Sequence, residues 1–170
     1  MTLQTRFEPA LAPGHQQAPL AAYGFDPFEE RLLSILRHLL TEALAPGAAA
    51  WHRACVIAGE TWGEQQGLAI PHALWPVVRE LVALRGAGFA FNDPLDIDMR
   101  GLVTVDESQL LAMLHHMRRD ETRPARDAVE TLTEGRMDPD LIRAGLSFAD
   151  RFPSGARQRL RGHPGLRVVG

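Results

Sequence analysis

At 170 residues, with 45% hydrophobic and 23% charged side chains, the chain has the balance of an ordinary globular domain able to bury a core. A formal net charge of -3 gives no global pull toward nucleic acid or an anionic membrane. All 18 basic residues are Arg, and the absence of Lys excludes Schiff-base chemistry, a pyridoxal-phosphate lysine and a Lys-bearing phosphate loop; the lone Cys55 excludes an intrachain disulfide, a four-cysteine zinc site and an iron–sulfur cluster.

From Met1 to Gly24, Pro9, Pro13, Pro19, Gly14 and Gly24 interrupt any periodicity, so residues 1–24 read as a flexible arm or a segment laid over the surface. They hold no apolar leader core, and no apolar run approaches the roughly 20 residues needed to span a bilayer, so a cytoplasmic protein without membrane contact is expected. The helical domain is expected over 25–152. Asp26, Pro27 and Glu29 signal a helix start: a cap acceptor, a residue needing no donor and a carboxylate at the positive helix end. Phe28, Leu32, Ile35, Leu36, Leu39, Leu40 and Ala43 then form one stripe to about Leu44, with Arg37 and His38 off it.

After Pro46-Gly47 a second helix is expected over 48–66, with Trp51, Cys55, Ala58 and Trp62 on its inward face. Gly59 and Gly63 would form a notch for another backbone. A third helix over 71–85 buries Leu74, Val77, Val78, Leu81 and Leu84 and kinks or begins at Pro76. Leu95, Ile97 and Met99 alternate with Asp96, Asp98 and Arg100, which is strand periodicity, and a small β-hairpin is expected around 95–105.

Thr104 and Glu107 form a capping box opening a fourth helix to about Arg119, packed through Leu110, Leu114 and Met117. Pro124 opens a short fifth helix with Ala125, Ala128, Val129 and Leu132 inward, stopped by Gly135. Asp138-Pro139 starts a sixth that buries Leu141, Ile142, Leu146, Phe148, Ala149 and Phe152. Residues 153–170 carry Arg157, Arg159, Arg161 and Arg167 and no carboxylate, a basic flexible tail. The expected fold is mainly all-α, a single orthogonal or irregular bundle of about six helices with the small hairpin.

No catalytic constellation emerges, and no cofactor is expected. Gly145-Leu146-Ser147-Phe148-Ala149 approaches a nucleophile-elbow pattern but lies inside a helix with no sheet before it. Asp93, Asp96 and Asp98 offer oxygen donors for a hard cation, without the spacing of a known calcium loop, and Arg100 could clamp an anion beside them. His52 and Cys55, three apart on a helix, could share a softer ion, although a buried small thiol beside a flank histidine is the favoured reading of the pair. His115 and His116 diverge by about 100° on a helix and cannot converge without another element. Arg118, Arg119, Arg123 and Arg126, with His115 beside them, could meet a phosphate backbone, yet Asp127, Glu130 and Glu134 on the following helix oppose it, so nucleic acid is the less favoured partner.

A well-signalled helical core without polar machinery points to a non-catalytic protein that binds a protein partner, as a regulator, adaptor or assembly factor. The alternative is a small-molecule or metal site built by the acidic 92–100 loop.

Overall fold

The computed structural model describes residues 17–47 and 49–155, so most of the expected N-terminal arm and basic tail lies outside the described residues. Within them the chain is mainly α-helical: β1 (Gln17–Pro19), α1 (Pro27–Leu44), α2 (Ala50–Trp62), α3 (Glu64–Gly67), α4 (Ala69–Arg85), β2 (Leu102–Thr104), α5 (Val105–Arg118), α6 (Thr122–Leu132) and α7 (Pro139–Arg151). Six helices exceed ten residues, and α3 is a single turn between α2 and α4.

The start of α1 is locally encoded. The Asp26 carboxylate accepts from the Glu29 N–H at 2.9 Å, and the Glu29 carboxylate accepts from the Asp26 N–H at 2.9 Å, satisfying two donors reciprocally. Leu32, Ile35, Leu36, Leu39 and Leu40 are buried as their spacing predicts. The buried arc is wider than that stripe, however, because α2, α4 and α5 all pack on α1. Glu29, Arg37 and His38 are therefore interior as well, against the expectation that Arg37 and His38 lie on the solvent side.

In the second helix the inward face is Ala50, Ala54 and Ala58, with Trp51, Cys55 and Trp62 only half-buried, so the expected stripe is rotated. Small residues on that face let α2 lie close against α1, while Trp51 packs sideways on His72 and Trp75 with ring centroids 5.0 and 5.4 Å away. Gly63, at φ +81°, ends α2 four residues earlier than expected. A Cβ at Gly59 or Gly63 would meet nothing within 4 Å, so the expected notch is absent there. The close backbone approach is at Gly67, where a Cβ would collide with the Ala58 carbonyl and lie 2.6 Å from the Gly59 Cα.

Pro76 sits inside a continuous α4, whose Ile70, Leu74, Val77, Val78 and Leu81 are buried. By length and composition alone, the stretch Glu64–Gly88 is apolar enough to cross a bilayer, against the expectation of no such run; the apolar side of α4 is part of the protein core.

The small antiparallel sheet is present, and Leu102–Thr104 is one of its strands, but the other is Gln17–Pro19, with Gln17 opposite Thr104 and Pro19 opposite Leu102. Residues 93–101 form turns instead of a strand. The Asp93 carboxylate accepts from the Leu95 N–H at 2.8 Å and that of Asp96 from the Asp98 N–H at 2.9 Å, so the aspartates fold the backbone locally. Leu95 and Ile97 are consequently exposed, at 61% and 69%.

Thr104 and Glu107 form the expected capping box of α5. Gly135, at φ +86°, follows α6, and its N–H donates to the Glu130 carbonyl at 2.7 Å. Asp138 caps α7, which buries Leu141, Phe148 and Ala149; Leu146, expected inward, is 49% exposed. Phe28 stacks on Phe152, Phe148 packs tilted against both, and Trp62 packs on Phe28, closing the core where α1, α2 and α7 meet.

Candidate binding groove

A concavity of about 840 Å³ lies between α1, α2 and the 93–100 segment. Its position follows from one buried ion pair. Arg37 Nε donates to Glu107 Oε1 at 2.6 Å and its Nη2 to Glu107 Oε2 at 3.0 Å, while the same guanidinium donates to the carbonyls of Met99 (3.0 Å) and Leu102 (2.6 Å). Both side chains are almost fully buried. Glu107 also accepts from the N–H groups of Asn92 and Thr104. One carboxylate thus caps α5 and pairs α1, and the arginine it holds pins the turn segment across the end of α1. All three guanidinium nitrogens of Arg37 donate, in four hydrogen bonds, as a desolvated guanidinium requires.

With the segment so fixed, Pro94, Leu95, Ile97 and Arg100 form one wall of the groove, and Arg31, Arg53 and Val56 stand on the helical walls. Val56, Leu95 and Ile97 are large apolar side chains at 43%, 61% and 69% exposure. The lining carries four arginines and two histidines against one carboxylate, Glu30. Asp93, Asp96 and Asp98 do not line it; the first two are engaged in turns, and the three do not gather into a cation cage. Arg100 does reach the groove, as the anion-clamp reading requires, but as part of an arginine set that the loop alone does not reveal.

At the base of the groove His38 is 3% exposed, and its Nδ1 has no hydrogen-bond partner. Burial, helped by the charge of Arg53 and opposed by Asp93, holds its pKa below the ordinary histidine value, so the ring is neutral near pH 7. Ser34, one turn earlier on α1, lines the same groove.

His52 is exposed at the groove edge, and Cys55 is half-buried on the neighbouring face of α2. Burial pushes the Cys55 thiol up, away from the thiolate that nucleophilic or metal-binding chemistry uses.

The expected Arg cluster divides. Arg118 donates to Glu29 and, at 3.1 Å, to Asp26; Arg119 donates to Glu29 and, at 2.8 Å, to Asp26. Arg118 also donates to the Phe152 carbonyl at 2.7 Å and covers the Phe28 ring at 4.3 Å. These two arginines lock α5 to the start of α1 and the end of α7. His115 joins the same lock through Glu29. Burial raises the pKa of Asp26, but the Glu29 N–H and the two guanidinium groups outweigh it, holding the carboxyl below its usual value. Arg123 and Arg126 remain exposed on α6, beside Asp127 and Glu130.

Sequence reasoning missed Arg31, His38, Arg53 and Val56. The available signal was spacing: Arg31, Ser34 and His38 recur at three and four positions on α1, a polar flank that reads as solvated face until a second helix and a loop stand beside it. Compared with known proteins, the chain matches no family model, no curated protein sequence and no solved structure.

Proposed function

We propose that the protein is a non-catalytic helical binding protein, a regulator, adaptor or assembly factor, whose groove between α1, α2 and residues 93–100 takes an acidic, apolar segment of a partner protein. The observation that carries this reading is the lining itself: exposed Val56, Leu95 and Ile97 interleaved with Arg31, Arg53 and Arg100. Apolar anchors flanked by guanidinium groups match a segment that alternates aliphatic or aromatic residues with Asp and Glu. The single cysteine agrees with a cytoplasmic setting.

The test is a photo-crosslinking residue placed at Ile97 in the full chain and expressed in the native host, with a matched probe at Leu146 on α7. Ile97 is expected to trap one partner through an acid-rich peptide, and Arg53→Glu with Arg100→Glu to abolish that adduct. No adduct from Ile97, or the same adduct from Leu146, would overturn the reading.

The arginines of the lining favour a second reading, in which a small anionic molecule enters the same groove and pairs with Arg31, Arg53 and Arg100. A melting-temperature increase with a metabolite carboxylate or phosphate, lost in Arg100→Ala, distinguishes it from protein docking. For nucleic acid, Arg118 and Arg119 already face carboxylates and offer a phosphate little charge.

A further inference from the structure

At the end of α5 two histidines come together although helix geometry splays neighbouring side chains by about 100°. The rings of His115 and His116 stand with centroids 4.9 Å apart at 89°, and His116 Nδ1 lies 2.6 Å from Oε2 of Glu121, on the connection to α6. Glu121 is the additional element that adjacent histidines need. One nitrogen from each ring and one Glu121 oxygen lie within 4.8 Å of one another. Behind them, His115 Nδ1 is 2.6 Å from Oε2 of the fully buried Glu29. That contact fixes the ring and leaves Nε2 as its coordinating nitrogen, the way buried carboxylates orient metal-binding histidines.

We propose that His115, His116 and Glu121 bind a divalent transition-metal ion of the zinc class, with Glu29 as the positioning carboxylate of His115. Two imidazoles and one carboxylate suit zinc and its neighbours, whereas magnesium and calcium prefer all-oxygen shells. The ion takes the place of the hydrogen between His116 Nδ1 and Glu121 Oε2, and the neutral ring carries its one proton on Nε2. Charge favours the exchange: Asp26, Glu29 and Glu121 outnumber Arg118 and Arg119, the cations paired with this cluster. Entry is open, since the side chains of His115, His116 and Glu121 are 18%, 26% and 45% exposed, leaving the remaining coordination positions to water. The ion ties the last turn of α5 to the connection before α6.

Zinc chloride titrated calorimetrically into the full chain at neutral pH tests this directly. One saturable equivalent and a higher melting temperature are expected, with at least a tenfold weaker affinity in His116→Ala and in Glu121→Ala. Neither side chain belongs to the core, and far-ultraviolet helicity verifies that both variants fold. Substituting His15, His52, His72 and His163 by Ala leaves the affinity intact. Cobalt in place of zinc gives visible absorption bands that disappear in Glu121→Ala. No saturable binding by the wild type, or zinc affinity unchanged in both variants, would overturn the proposal.

Discussion

His38 shows how burial converts a pattern residue into a titration problem. Its native pKa lies below the ordinary 6.5, because desolvation, reinforced by Arg53, disfavours the imidazolium. The unfolded chain therefore takes up a proton first as pH falls, and the stability present above about 6.5 declines below it. Asp26 acts in a separate window. Its carboxyl is held below 3.8, so the unfolded chain protonates there before the native state does, and stability falls again as pH drops through that value. Urea titrations across pH should show two downward steps; His38→Gln should flatten the first and Asp26→Asn the second. An unchanged profile in both variants would contradict these environments. Neither step is visible in the sequence, where His38 occupies a polar flank and Asp26 is simply a cap.

Among the elements, the α2–α3–α4 corner depends on a glycine that carries no motif. At Gly67 a methyl group meets backbone of α2, which cannot move without shifting the helix. At Gly145 on α7 it meets Met117 Sδ at 2.6 Å, the far end of a flexible side chain. Gly67→Ala should cost about 1–3 kcal/mol by overpacking, and Gly145→Ala distinctly less. Chemical denaturation of the two variants measures the difference, and equal losses would show that the corner yields. The helix starts at Asp26, Thr104 and Asp138 were legible because a cap is a contact within four residues. The inward face of α2 was not, since tryptophans outrank alanines on any hydrophobicity pattern while close helix approach selects the small side chains.

For the molecule as a whole, the Arg37–Glu107 pair decides where the groove lies, joining residues 70 positions apart and fastening the 99–102 backbone to α1. Glu107→Ala should cost about 3–5 kcal/mol, because it leaves a buried guanidinium without its counter-ion and also removes a cap. Arg37→Met combined with Glu107→Leu should recover part of that loss, and hydrogen exchange should rise across 93–102 in the single variant before it rises in the core. A single variant as stable as wild type would mean that the pair is not the brace. By itself the sequence determined the helical class, most helix starts and most of the apolar core, because those follow from periodicity and contacts within a few residues. The partner strand of Leu102–Thr104, the turns formed by Asp93 and Asp96, the interior places of Glu29, Arg37 and His38, and the meeting of His115 with His116 and Glu121 were decided by the tertiary structure. Whether a polar side chain faces water or a counter-charge depends on which distant element packs over it, and no local spacing records that.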